Sequence, residues 1–301
     1  MAFSLFLRSA MPNDNNLKSH FNLHLIVFIW GFTAILGALI SIKEVALVWY
    51  RMGLATLFLM IYLLITKKSI RLPKKVILNL FFVGFLLALH WIFFFRAINI
   101  ANVSITLATF SLGSFFAAIL EPIFFNRKIK GYELAFGLII IIALYFILQV
   151  EVQFLNGIFS ALFSIIVGVI FTLLNGKLIQ KHDATIIATY EFFAGFLFVT
   201  IYLLFNQQFT PQFFQLSTND WLLILILSSI CTAYAFTASI NVMKRLSPYT
   251  VMLTTNLEPV YGIALAYFIL GSSEHMSPSF YIGAIIILIT VIANGYFKSK
   301  E

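Results

Sequence analysis

Charge is scarce in this chain: Asp, Glu, Lys and Arg together make up 10% of 301 residues, against about 25% in ordinary soluble domains. That excludes a disordered segment, which needs charge and polarity to stay solvated. Cysteine is rarer still: Cys231 alone excludes a disulfide scaffold and a thiolate metal cluster. No His, Cys or carboxylate cluster has metal-ligand spacing, so neither a metal nor another cofactor is expected. The chain also lacks G-x-x-x-x-G-K-[ST], which excludes ATP as a direct energy source. It has no H-E-x-x-H, no G-x-S-x-G and no glycine-rich dinucleotide fingerprint, so no catalytic residues are assigned.

Apolar residues dominate instead, at 61% of the chain with a mean hydropathy of +1.01. A bilayer core about 30 Å thick is crossed by about 20 helical residues. Runs of that kind fall at 23–42, 46–65, 76–98, 104–125, 134–150, 157–178, 185–205, 221–242, 250–270 and 280–297. They predict an all-α polytopic membrane protein with ten transmembrane spans. Period-2 alternation is missing, which argues against a β-barrel. The longest connections, 1–20 and 206–220, are too short for a catalytic domain. No signal-peptide cleavage pattern precedes the first span, so that span is expected to stay as an anchor.

The basic residues are one-sided. Arg8 and Lys18 precede span one; Lys67, Lys68, Arg71, Lys74 and Lys75 follow span two; Arg127, Lys128 and Lys130 follow span four. Lys177 and Lys181 follow span six, Lys244 and Arg245 follow span eight, and Lys298 and Lys300 end the chain. On the other side stands Lys43, while Arg51 and Arg96 fall inside spans or at their edges. The positive-inside rule then places both termini in the cytoplasm and the protein in the cytoplasmic membrane. Short juxtamembrane basic clusters meet anionic lipid headgroups, so the net charge of +8 does not indicate a nucleic-acid partner.

Sliding the sequence by 146 residues sets Leu107 on Leu253, Thr109 on Thr255 and Gly137 on Gly283, with 104–116 over 250–262. The offset equals five spans. Five is odd, so the halves would insert with opposite orientation, and inverted repeats place a substrate site near the midplane where they meet. The expected organisation is a tail at 1–20, one five-helix repeat at 21–150, a second at 151–297 and a tail at 298–301.

Several short patterns follow this layout in order. They are Trp30-Gly31 in span one, Tyr50-Arg51-Met52 in span two, Ala97 to Ala101 after span three, Leu257-Glu258-Pro259 in span nine, Gly271 to Glu274, and Gly283. Together they resemble the EamA-type members of the drug/metabolite transporter superfamily over nearly the whole chain after residue 20. One departure is Ser272-Ser273 before Glu274, where the family usually has glycine. The resemblance implies two inverted five-helix halves and transport without ATP hydrolysis, most often export of amino acids or related metabolites. It also implies a cavity of spans three, four, eight and nine, with spans one and six as mobile walls.

Ionisable groups at helix centre cost about 2.5–3.5 kcal/mol on insertion scales, so each marks a candidate site. Glu258 lies eight residues into span nine, and Pro259 removes the N–H that would pair with the Thr255 carbonyl. With Thr254 and Thr255, this turn either binds substrate or carries a proton, or Glu258 merely locks a kink. Glu191 in span seven is a second coupling candidate. Glu121 sits near the basic end, where snorkelling or a gate contact to Arg127 or Lys128 is expected. His90, beside Trp91, either handles ligand or is satisfied by a neighbouring Ser or Thr. Tyr234, Thr237 and Asn241 share one face of span eight, and Thr172 and Asn175 pair on span six; such stripes either line a pathway or join helices. Trp30 joins Trp91 and Tyr234 as aromatic candidates with a polar handle.

The sequence reading is therefore a secondary transporter of a small organic metabolite, with membrane lipid as its surroundings and no stated oligomer. A lipid-modifying enzyme would need an interfacial carboxylate or histidine cluster with a metal. A non-transporting scaffold would not need polar groups at midplane depth.

Overall fold

A chain in lipid must satisfy its backbone hydrogen bonds internally, and helices do so within each segment. The computed structural model describes residues 14–150 and 152–299, and no strand occurs among them. The helices are α1 (Asp14–Leu39), α2 (Glu44–Ile65), α3 (Lys74–Ile100), α4 (Val103–Phe110), α5 (Gly113–Phe125), α6 (Gly131–Val150) and α7 (Leu155–Leu178). They continue as α8 (Ala184–Phe205), α9 (Thr218–Ile226), a π-helical segment (Leu227–Tyr234), α10 (Ala235–Val242), α11 (Pro248–Thr255), α12 (Glu258–Ile269) and α13 (Pro278–Ser299).

Seven stretches are long and apolar enough to cross a membrane: Leu17–Leu39, Glu44–Ile65, Lys74–Ile100, Val103–Phe125, Leu155–Leu178, Ala184–Phe205 and Thr218–Val242. Gly131–Phe146 and Pro278–Asn294 are shorter apolar helices, and the run at 250–270 is carried by α11 and α12. The first helix begins at Asp14, inside the stretch expected as a tail. Helical hydrogen bonds need no apolar side chain, so the helix continues past the hydropathy edge. The rest of that tail, with Arg8, and the last two residues, with Lys300, lie outside the described residues.

Two helices are broken midway, at matching places. Between α4 and α5 the chain tightens into Ser111 N–H to Ala108 carbonyl (3.2 Å) and Leu112 N–H to Thr109 carbonyl (3.1 Å) bonds. Between α11 and α12 the same happens at Asn256 (3.2 Å to the Leu253 carbonyl) and Leu257 (3.0 Å to the Thr254 carbonyl). Shorter-range bonds of this kind keep the backbone satisfied while redirecting it. The sequence reading had Pro259 kinking a continuous span. It stands instead in the first turn of α12, where a missing N–H costs nothing.

Around these breaks, α3 packs between α7 and α8, α2 lies against α8 and the π segment, and α1 against α10 and α12. Helices α6 and α13 pair at one flank. The connection 206–220 packs Phe209 and Phe213 around Trp49, with ring centroids 5.6 and 5.4 Å away, and so closes the end opposite the basic loops. At the basic end Lys68 meets Asp183 at 2.9 Å. Partial burial pushes the Asp183 carboxyl up, but hydrogen bonds from Lys68 and the Thr185 N–H outweigh it and hold it below its usual range. The pair is half exposed, so it contributes little stability.

Small residues set the helix spacing. A Cβ on Gly84 of α3 would collide with the Glu191 carbonyl oxygen of α8 and lie 2.8 Å from the Ala194 Cβ. Close approach through glycine is the usual way membrane helices gain packing contact. Gly84→Ala is therefore expected to force α3 and α8 apart and destabilise the protein by about 1–3 kcal/mol, read as a lower melting temperature in detergent.

Candidate functional site

Seven of the ten expected spans contribute to one cavity at the centre of the bundle. Trp30 and Thr33 come from α1, Arg51 from α2, His90, Trp91 and Phe94 from α3, and Phe110 from α4. Gly168, Phe171, Thr172 and Asn175 come from α7, Phe236, Ser239 and Ile240 from α10, Met252 and Thr255 from α11, and Glu258 from α12. The cavity volume is about 90 Å³, room for on the order of six water molecules. A larger vestibule of about 1110 Å³ opens beside it at the basic end, lined among others by Glu121, Arg127, Lys130, Lys244 and Thr254. Met243 lines both spaces and so stands between them.

Arg51 is the largest fully buried side chain of the protein. Its Nε donates to Thr232 Oγ1 at 2.6 Å, and its guanidinium carbon lies 3.8 Å from the centroid of the Trp91 ring. Such stacking on the ring face favours the cation. Yet Arg51 Nη1 is buried with no hydrogen-bond partner, and no described carboxylate comes within 4.0 Å of the group. The π-helical segment makes the Thr232 contact, because there Thr232 Oγ1 donates to the Leu227 carbonyl five residues back (2.7 Å), leaving its lone pairs for Arg51. Trp30 Nε1 reaches the same segment, donating to the Cys231 carbonyl at 3.2 Å.

Glu258 begins α12 and is 7% exposed. It lines the cavity without an ion pair among the described residues. A negative group in the first turn of a helix is favoured by the unpaired N–H groups there. His90 is fixed from both sides: its Nδ1 lies 2.8 Å from the Ser164 carbonyl, and Ser164 Oγ donates to the His90 carbonyl at 2.7 Å. A carbonyl can only accept, so Nδ1 carries the proton in the neutral ring and Nε2 is left as an acceptor. Gly168 allows the approach; a Cβ there would lie 3.0 Å from Nδ1.

Of the sequence candidates, the structure thus brings Trp30, His90, Trp91, Asn175, Thr255 and Glu258 together. It places the others elsewhere. Thr254 faces the vestibule, because adjacent helical residues point about 100° apart; its hydroxyl and that of Thr255 donate to the Thr250 and Val251 carbonyls at 2.9 and 2.8 Å. Tyr234 is 53% exposed on the outer surface, Asn241 is also exposed, and Thr237 is half-buried outside the cavity lining. Their shared face is real, but periodicity does not say which way a face points; Phe236, Ser239, Ile240 and Met243 hold the inner one. Pro259 lines a separate apolar groove. Glu191 is fully buried behind the cavity wall, accepting from Asn175 Nδ2 at 3.1 Å.

Arg51 was missed as a site residue, although the rule that singled out Glu258 applies to it. Helix α2 starts at Glu44, so Arg51 lies seven residues in, about 10 Å of helix; the hydropathy edge made it look shallower. Among the described residues no group of three or more His, Cys, Asp or Glu is placed to hold a metal.

The sequence matches the EamA-like transporter family twice, over residues 17–149 and again over 155–296. The chain belongs to the EamA-like transporter family. It is accordingly a multi-pass membrane protein of a transporter family, built from two repeats. No curated protein matches it in sequence. A solved crystal structure of a protein 13% identical to it covers 92% of this chain and 96% of that one with a TM-score of 0.69, a likeness of fold.

A buried cation without an ion-pair carboxylate is costly to hold. Arg51→Met in this EamA-like protein is therefore expected to leave thermal stability unchanged or raise it by up to about 2 kcal/mol. A clear drop in melting temperature would contradict the reading of Arg51 as an unpaired charge.

Proposed function

We propose that the protein is a secondary transporter, an exporter that moves a small zwitterionic metabolite such as an amino acid across the cytoplasmic membrane. The observation that carries this is a cavity lined by a guanidinium and a carboxyl group that do not pair with each other. An ionisable group inside a membrane is retained for function, and two unpaired opposite charges match a ligand bearing both. Arg51 would take the carboxylate and Glu258 the ammonium group, with Trp91 and His90 ordering the rest. The cavity volume suits a compact metabolite better than a drug-sized one.

In this reading ten spans form two inverted halves, both termini are cytoplasmic, and no ATP is used. The one-sided basic residues and the twofold family match support that topology. The vestibule then opens to the cytoplasm. Glu258 and the more deeply buried Glu191 are the groups able to carry a coupling proton, and the Asn256–Leu257 break preceding Pro259 is the hinge.

Glu258→Gln is expected to abolish uptake of labelled amino acid into proteoliposomes while expression and the gel-filtration profile stay normal. Wild-type uptake by that variant would remove the coupling role. In a thermal screen, a ligand present at about 100 times its Kd stabilises the native state by about 2.7 kcal/mol. A zwitterion is expected to do this where the matching amine or acid alone does not.

A further inference from the structure

The two broken helix pairs are held together at their ends by a reciprocal device. At the end opposite the basic loops, α4 begins with its Val103 and Ser104 N–H groups donating to the two oxygens of Glu274, at 2.9 Å each. The Ser104 hydroxyl adds a third bond of 2.7 Å. Glu274 lies just beyond α12, so it comes from the other repeat. At the basic end, α11 begins with the Tyr249 N–H donating to Glu121 Oε1 at 3.1 Å, and Glu121 belongs to α5. Val103 and Tyr249 stand 146 residues apart, the repeat offset. Each half therefore starts its broken helix on a carboxylate supplied by the far end of the other half's broken helix.

Between these ends the helices cross where both are interrupted. Asn256 Nδ2 donates to Ser114 Oγ at 2.7 Å, and a Cβ on Gly113 would lie 2.7 Å from the Met252 Cε. The result is two antiparallel rods, tied at either end and touching where both are interrupted. Both rods line the central cavity, through Phe110, Met252, Thr255 and Glu258. The ties differ. Glu274 and its partners are buried and make three bonds, whereas Glu121 makes one to the helix and shares its other oxygen with Arg127 at 2.8 Å, which also holds Glu133 at 2.7 Å. The lighter tie lies at the vestibule.

We propose that Glu121 and Glu274 are the two gate residues of the transport cycle, each a cap that must release its helix before that end of the bundle opens to the cavity. This rests on the transport reading given above. Charge-assisted bonds to helix N–H groups are strong enough to bias a two-state opening and, being confined to a rod's end, can break without unfolding either rod.

The test reads opening directly, without substrate. In a Cys231→Ala background, Ser239→Cys places a thiol in the cavity, and a membrane-impermeant maleimide is applied to vesicles of either orientation. Glu121→Gln is expected to raise labelling about tenfold from the basic side alone, and Glu274→Gln about tenfold from the opposite side alone. Ser104→Ala, which removes one hydroxyl and leaves the fold intact, should raise labelling from the opposite side by a smaller factor. Labelling that rises from both sides, or from neither, overturns the proposal, since a merely structural cap would loosen the protein without sidedness. Sided labelling in a protein that moves no substrate upholds the gates and sinks the transport reading; transport without sided labelling does the reverse.

Discussion

Lipid offers no hydrogen-bond partner, so an unpaired backbone group there is heavily penalised. Everything distinctive in this protein is a managed exception to that constraint. The interruptions at Ser111 and Asn256 lie in the protein interior and are closed by tighter turns. The exposed N–H groups at the starts of α4 and α11 are taken by carboxylates from the opposite repeat. The π-helical segment keeps its backbone bonded while freeing Thr232 and the Cys231 carbonyl for Arg51 and Trp30. Irregular backbone occurs where it either lines the cavity or joins the halves.

Side-chain charge obeys the same economy. At the basic end Arg127 is shared by Glu121 and Glu133, so one guanidinium holds two carboxylates. In the middle Arg51 and Glu258 line one cavity without forming an ion pair. The guanidinium lies instead over Trp91 and Phe95, 3.8 and 5.5 Å from their ring centroids.

Much of this was legible from residue types. Apolar runs locate helices because chain length and bilayer thickness are coupled, and the 146-residue offset survives in the capped positions Val103 and Tyr249 and, to within one residue, in both breaks. Glu258 and His90 were visible as polar atoms where lipid should be. The errors share a cause. Hydropathy finds where a helix enters the apolar layer and misses where its hydrogen bonds begin, so α1 was shortened and Arg51 was read as shallow. Periodicity groups Tyr234, Thr237 and Asn241 on one face but is blind to the neighbours that decide its direction. Contacts between residues far apart in sequence, such as Ser164 with His90 or Glu274 with Val103, leave no local trace.

The clasp between His90 and Ser164 has a consequence for shape. The His90 Nδ1–H bond to the Ser164 carbonyl orients the ring, while the Ser164 hydroxyl ties α7 to the His90 backbone carbonyl, so Nε2 is the ring nitrogen left over. With Arg51 and Glu258 it places a guanidinium, a carboxyl group and an acceptor on the lining of one asymmetric chamber. Three unlike corners define a handedness once the chamber wall fixes the side from which they are approached. A molecule that engaged all of them could not be exchanged for its mirror image, and left and right would be told apart by geometry alone.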